Sequence, residues 1–403
     1  MTKTDKEGQR KTPILRFKGF TDDWEQRKLG EIFKFSQGLQ VPIDQQFEKK
    51  EENTERFIRI VDVTQDNIPQ RFVYNPTGKG RVNLDDIFFV RYGAVGTIGH
   101  GFKGVIANNL FKVIPLIDIN PLFWFYQFSD IRFNSRLKAL SASTSMPAIN
   151  FNTLRKMIIS NTSIVEQNKI GTILKSLDNL LTLYDRKLKL LSQVKKYFLD
   201  NLFAEKEYPN LRFKYFKKDK WEKTSLNSIV TYSNGKAHEK EINNKGNLDL
   251  VMMNSITTGG RLITKKKILS PQDTLNKNDI VIVLSDIAKG ELIGKSSVIP
   301  CDNQYVLNQR IGCLHPTLNI DSFFVSKYIN QKNRYFKSHA AGTSQINLSR
   351  SDVLNCTIYI PKVDEQHCVS NFIINVEKII NFYEYKKRHI IQIKNILLNT
   401  MFI

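Results

Sequence analysis

Residues 15–32 read LRFKGFTDDWEQRKLGEI, and residues 211–229 read LRFKYFKKDKWEKTSLNSI. Leu15-Arg16-Phe17-Lys18 is answered by Leu211-Arg212-Phe213-Lys214, and Trp24-Glu25 by Trp221-Glu222. Leu29, Ile32, Ser36 and Gly38 correspond to Leu226, Ile229, Ser233 and Gly235. The match resumes later, pairing Ser143-Thr144-Ser145 with Gly342-Thr343-Ser344 and Ile149-Asn150 with Ile346-Asn347. Glu166-Gln167 then answers Glu365-Gln366, and Leu202-Phe203 answers Met401-Phe402. A repeat of this length constrains the fold before any single element does, because both copies must build the same frame. Between the matching landmarks the copies diverge.

Each copy closes on a long heptad pattern. Ile170, Leu177, Tyr184, Leu191 and Phe198 recur every seventh residue. Leu174, Leu181, Leu188 and Leu202 form a companion row, broken only by Lys195. In the second copy the rows are Val369, Val376, Tyr383, Ile390 and Leu397, with Ile373, Ile380 and Met401, interrupted by Lys387 and Lys394. Alternating spacings of three and four, without an internal proline, predict coiled-coil packing. A helix of this length reaches roughly 55–60 Å at about 1.5 Å per residue, and its apolar seam needs a partner. We expect the two helices to pair antiparallel; the alternative is that each packs on its own globular part.

The remaining stretches, about 20–160 and 216–360, read as mixed α/β. RFIRIVDV, DIFFVRYG, DLVMMNSI and DIVIVLSD are short apolar or alternating runs bounded by Gly, Asn and Asp, as strands are. Helices are expected near PLFWFYQFSDIRFNSRLKAL and DSFFVSKYINQKNRYFKS. The predicted fold is α+β: two mixed α/β domains separated by two long antiparallel coiled-coil helices, with a pseudo-two-fold internal repeat. The expected boundaries are 1–163 and 208–362 for the domains, and 164–207 and 363–403 for the helical spacers.

Charge is the unusual compositional feature. Sixty Lys and Arg face thirty-nine Asp and Glu, a formal net charge of +21, which points to a polyanionic partner, nucleic acid first. No apolar run approaches the ~18–20 residues of a spanning helix, so no membrane partner is expected. MTKTDKEGQRKTP has charge without an apolar core behind it and reads as a solvated tail, not a signal peptide. The four cysteines lack CxxC pairing. His315 and His367 lie close to two of them, but the spacing fits no zinc finger, so we expect reduced, partly buried thiols, no metal and a cytoplasmic location.

No catalytic residue is singled out. Gly290-Glu-Leu-Ile-Gly294-Lys295-Ser296 is one residue short of a phosphate-binding loop and reads as a turn. Gly93, Gly96 and Gly99 lack the dinucleotide fingerprint. Asn75-Pro76-Thr77 begins like a methyltransferase NPP motif but lacks the second proline and the aromatic. DNA contact, by contrast, has candidates in both copies, since basic side chains near aromatics and small polar groups suit phosphate positioning and base-edge contact. They are Lys79, Arg81, Arg91, Tyr92, Ser143, Thr144 and Ser145 in the first copy. In the second they are Lys265, Lys266, Lys267, Lys289, Gln309, Arg310, Thr343, Ser344 and Gln345. For any one of them a solvated surface role is the competing reading.

The framing phrase WEQRKLGEIFKFSQG, the run GTSQINLSRSDVLNCTIYIPKVDEQ and the helices opened by Glu166-Gln167 and Glu365-Gln366 resemble the specificity subunits of type I restriction–modification systems. The first copy departs from that pattern, with Met146 in place of the loop glutamine and no prolines before its Glu-Gln. The resemblance implies that each variable part reads one half of an asymmetric, bipartite site in double-stranded DNA. It also implies that the helices set the spacing and bind two modification (methyltransferase) subunits, with restriction subunits joining the larger complex. S-adenosylmethionine, ATP and Mg would then belong to partner subunits, and this chain would be non-catalytic. A stand-alone DNA methyltransferase or nuclease, or an RNA-binding scaffold, is the alternative.

Overall fold

The computed structural model describes residues 11–141, 148–203, 205–243, 245–269, 273–287 and 290–403. Most of the expected solvated tail, residues 1–10, lies outside this set, but Pro13 is buried and the Lys11 carbonyl accepts from the Trp24 amide at 2.8 Å, so the tail's end belongs to the fold. The chain forms two compact units, Met1–Asp185 with Tyr385–Ile403, and Arg186–Glu384. Each unit therefore takes part of both long helices.

Those helices span Ile164–Leu202 and Val363–Met401, each 39 residues. Within the unit Arg186–Glu384, Lys195 meets Glu377 at 2.6 Å and the Lys187 ammonium donates to the Tyr383 hydroxyl at 2.5 Å. Within the other unit, Asp178 pairs with Lys394 and Asp185 with Lys387. One residue number rises as the other falls, so the segments run antiparallel within each unit. Leu177, Leu181, Tyr184, Leu188 and Leu191, with Val376, Ile380, Tyr383, Ile390 and Leu397, are half-buried, as befits a seam covered by a single partner helix. Ile170, Leu174, Val369 and Ile373 are fully buried because there the helices enter the globular cores.

The repeated phrases meet the Glu-Gln pairs. Glu166 is fully buried; Arg16 donates to its two oxygens at 2.6 and 2.9 Å and Trp24 Nε1 donates at 3.1 Å. Glu365 receives Arg212 at 2.6 Å on each oxygen and Trp221 Nε1 at 3.1 Å. A buried carboxylate persists only when paired and hydrogen-bonded in this way. The neighbouring glutamines span a joint: Gln167 accepts from the Asn120 amide and donates to the Thr162 carbonyl, both at 2.9 Å. Gln366 likewise accepts from the Asp321 amide at 2.9 Å and donates to the Pro361 carbonyl at 2.8 Å. Asn120 and Asp321 are in turn the N-caps of helices Pro121–Ser129 and Ser322–Gln331. Each opening phrase starts beside the end of the other copy's helix, with the Leu15 amide on the Thr400 carbonyl and the Leu211 amide on the Asn201 carbonyl.

This frame carries a four-stranded antiparallel sheet in each unit. In the first the order is Phe33–Gln37, Leu110–Pro115, Ile87–Val90, Ile98–Gly99; in the second it is Val230–Asn234, Ile311–Pro316, Ile280–Val283, Ser296–Val298. Each unit also has a mixed sheet with one parallel pair: Thr54–Ile58 with Gly104–Ile106, the two central strands of four, and Leu248–Val251 with Tyr305–Leu307, the central and one outer strand of three. Gly38 and Gly235 are required where strands approach closely, since a Cβ would lie 2.2 Å from the Ala107 carbonyl oxygen and 2.1 Å from that of Asn308. Two expectations need correction. The run RFIRIVDV is strand only to Ile58, then helical over Ile60–Thr64, where Asp62 accepts from the Arg59 amide. The single helix expected near residues 121–140 breaks at Asp130 into Pro121–Ser129 and Ile131–Ser141. Its counterpart breaks at Lys332.

Candidate nucleic-acid interface

The central strand of each four-stranded sheet ends in the same hydrogen-bonded joint. After Ile87–Val90, the Arg91 amide donates to the Asn109 carbonyl at 2.8 Å and the Arg91 carbonyl accepts from Ile149 at 2.9 Å. After Ile280–Val283, Leu284 donates to the Arg310 carbonyl at 3.0 Å and accepts from Leu348 at 2.8 Å. Asn150 then caps Phe151–Lys156, as Ser349 caps Arg350–Leu354. The structural partner of Ile149-Asn150 is therefore Leu348-Ser349. The expected match to Ile346-Asn347 was two residues out of step, because similar Ile-Asn dipeptides outweighed the cap.

The joint holds two loops at one end of the sheet's inner strands: the turn before the Ile311–Pro316 strand, carrying Gln309 and Arg310, and the loop carrying Thr343, Ser344 and Gln345. Strand Gln345–Asn347 pairs with Ser285–Ile287, and the Ala341–Asn347 bridge closes the loop. Gly342 turns the chain at φ +134°, where a Cβ would fall 1.9 Å from the Gln345 carbonyl oxygen. Thr343 and Ser344 are thereby exposed at the tip, the position from which side chains can reach base edges. Arg310 is exposed as well, and its carbonyl is held by the Leu284 amide at the joint. Gln309 is exposed but already donates to Glu239 at 3.2 Å. That carboxylate is held below the usual glutamate range, first by the Asn308 amide.

In the first copy, Tyr92 bridges Ala148, at the end of the corresponding loop. Ser143, Thr144 and Ser145 themselves, like Lys289, lie outside the described residues. Arg91 is engaged by the frame: it donates to Gln37 at 3.0 Å and to the Ile149 carbonyl at 3.3 Å, and lies over the Phe151 ring. Arg81 is exposed, but its fork is taken up by Glu55 at 2.7 and 2.6 Å. Lys79 is exposed in a turn between Gly78 and Gly80. Lys265, Lys266 and Lys267 lead into and along the edge strand Lys266–Ile268 of the mixed sheet, away from the Gln345 loop in the topology. Arg350 escaped the sequence reading. It is exposed, sits five residues beyond Gln345 and lies over Tyr232 at 5.4 Å. Its only sequence signal was its place just inside a Ser-capped helix.

A duplicated module, held on helical segments by a repeated ion-pair anchor and presenting basic and polar loops, defines a DNA-recognition protein. Residues 21–193 and 218–395 match the type I restriction modification DNA specificity domain, and the chain belongs to that family. It is a specificity subunit of the type I restriction–modification class, which decides among the readings the sequence left open. Among curated proteins it is 23% identical over 401 residues to the type I restriction enzyme MjaVIII specificity subunit of Methanocaldococcus jannaschii, covering 94% of this chain and 92% of that one. Its fold is shared with the type I restriction–modification S subunit of M. genitalium, at 15% identity and a TM-score of 0.64, over 97% of this chain and 99% of that one. It is also shared with a chain from a study of complex assembly and conformational transition in the type I system, at 14% identity and a TM-score of 0.54, over 93% and 96% of the two chains. Among the described residues no helix is long and apolar enough to cross a membrane.

Proposed function

We propose that each unit reads one half of an asymmetric, bipartite site in double-stranded DNA through the loops at the joint where its inner strand ends. The observation that carries this reading is the contrast within the duplication. The anchor Arg16–Glu166–Trp24 is reproduced atom for atom by Arg212–Glu365–Trp221, while the loops behind it differ in sequence. A conserved frame with unlike readers suits a site whose two halves are unlike. On this reading residues 1–163 and 208–362 are the recognition segments, and 164–207 and 363–403 the spacers that bind two modification subunits. Restriction subunits would join the larger complex. The chain acts in the cytoplasm as a non-catalytic scaffold, and S-adenosylmethionine, ATP and Mg are held by its partners. The test is an exchange of residues 20–160 for those of a relative, followed by mapping of methylated sites in cells that carry the modification subunit. One half-site should change and the other stay; a change in both would overturn the two-reader scheme.

A further inference from the structure

Asp279, Cys313 and His315 bring a carboxylate oxygen, a thiol sulfur and an imidazole nitrogen together with all three atoms within 4.8 Å of one another. His315 Nδ1 lies 2.7 Å from Asp279 Oδ1 and 3.9 Å from Cys313 Sγ. Cys313 and His315 are two apart on the strand Ile311–Pro316, so both project from one face of the sheet. The surroundings hold the donors in place. The Asn276 amide donates to Asp279 Oδ2 at 2.8 Å, leaving Oδ1 for the imidazole. On the far side of the ring, His315 Nε2 lies 2.8 Å from Ser233 Oγ. An outer hydrogen bond of this kind fixes ring orientation and tautomer in metal-ligating histidines.

The first copy supplies an internal comparison. Asp86 precedes its central strand as Asp279 does, and its Oδ2 accepts from the Asn83 amide at 2.7 Å. Ser36 faces Lys112 in strand register where Ser233 faces Cys313, and Lys34 faces Ile114 where Thr231 faces His315. The Lys112 ammonium lies 2.6 Å from Asp86. One copy thus places its own cation on this carboxylate. The other replaces that lysine with a thiol and adds an imidazole, exchanging a resident positive charge for two ligands that can bind one.

We propose that Asp279, Cys313 and His315 form a site for a divalent transition-metal ion of the zinc class. Oxygen, nitrogen and sulfur donors together suit such an ion, at about 2.0–2.3 Å per bond after small side-chain adjustments. Three protein ligands leave a fourth position for water, and the Ser233 and His315 side of the group lines a cavity of about 320 Å³ with Lys236 and Asp273. On binding, the Cys313 thiol releases its proton to solvent. The imidazole binds through a bare Nδ1 with its single hydrogen on Nε2, which donates to Ser233 Oγ. A neutral ring holding that hydrogen on Nδ1 moves it to Nε2 through solvent, and an imidazolium releases its Nδ1 proton to solvent.

The test uses the purified full chain, incubated with Zn²⁺, desalted and analysed for metal, with Co²⁺ as a spectroscopic stand-in. The expected result is about one equivalent retained, with a thiolate-to-cobalt charge-transfer band and the visible bands of a four-coordinate ion. Cys313→Ser should abolish the charge-transfer band, and His315→Gln should lower retention at least tenfold. Circular dichroism would establish that both variants fold, and Lys112→Ala, in the other copy, should change nothing. If His315 alone supplies the positive charge, no metal beyond that on the Cys313→Ser/His315→Gln double variant will be retained, which overturns the proposal. Retention without a thiolate band overturns it equally.

Discussion

Lys195 Nζ lies 2.6 Å from Glu377 Oε1 on the facing helix, at the one position where lysine interrupts the first copy's leucine row. Asp178 and Lys394 form the matching pair in the other unit, so the repeat carries the same interhelical ion pair twice. Lys327 also reaches Glu377, at 2.8 Å, as the Tyr126 hydroxyl reaches Asp178 at 2.6 Å. A charged residue in an apolar seam weakens it but admits only the register that pairs it. Lysines that look like defects in the heptad pattern are thus register markers.

Glu377 gives this arrangement a pH signature. Burial pushes its pKa up, yet Lys327 and Lys195 outweigh burial and hold it below the usual glutamate range. A carboxylate with a lowered folded-state pKa adds stability that is present above its unfolded value and lost as pH falls through the folded one. Glu377→Gln should therefore cost ~1–3 kcal/mol near neutral pH, for a partly buried pair. The cost should shrink towards zero once pH falls below the glutamate range. Denaturant unfolding at both pH values measures this, and an equal loss at each would contradict it.

The anchor should be the costlier element to break. Glu365→Ala leaves Arg212 with only 6% of its side chain exposed and no carboxylate, and removing one partner of a buried ion pair typically costs about 3–5 kcal/mol. Glu166→Ala should behave alike, because Arg16 is placed in the same way. Thermal unfolding of the two variants should show comparable losses; a neutral substitution at either would show that the repeated phrase is not the anchor.

Much of this frame was legible in the sequence. Trp24 and Trp221, Leu29 and Leu226 are buried as the repeated phrase implied, because side chains kept in both copies serve what both copies share. The seam was legible for a similar reason, since heptad spacing marks the residues that face a partner helix. The binding residues were harder. Arg81 and Arg91 have the composition of DNA contacts, yet Glu55 and Gln37 occupy them. Which acidic or amide group lies across a sheet from an arginine depends on pairing between distant strands, and no local pattern encodes it. The same holds for Asp279, Cys313 and His315, whose convergence follows from strand register across residues far apart in the chain.

That distinction separates the arginines experimentally. Arg310→Ala should weaken binding about evenly across DNA sequences and lower the salt slope by about one. Arg91→Ala should act mainly on stability, since its guanidinium ties Gln37 to the joint. Gln345→Ala should change base preference within one half-site and leave the salt slope unchanged. Fluorescence anisotropy on specific and scrambled duplexes across a salt series distinguishes the three. A salt-slope change for Arg91→Ala equal to that for Arg310→Ala would mean that the joint itself lies on the DNA.

The long helices also bear on assembly. Leu190, Val194 and Tyr197 stand at spacings of four and three on the first helix and are 59%, 37% and 58% exposed. They form a second apolar stripe, distinct from the seam residues Leu188, Leu191 and Phe198. Exposed apolar stripes at helical spacing mark surfaces that another helix covers, and in a specificity subunit the candidate occupant is the modification subunit. Leu190→Glu with Tyr197→Glu should leave unfolding of the isolated chain nearly unchanged, because neither residue lies in the seam. Co-purification with the modification subunit should fall at least tenfold. Retained assembly with this variant would place the partner on another face of the helices, and a parallel loss of stability would show that the stripe serves the chain's own packing.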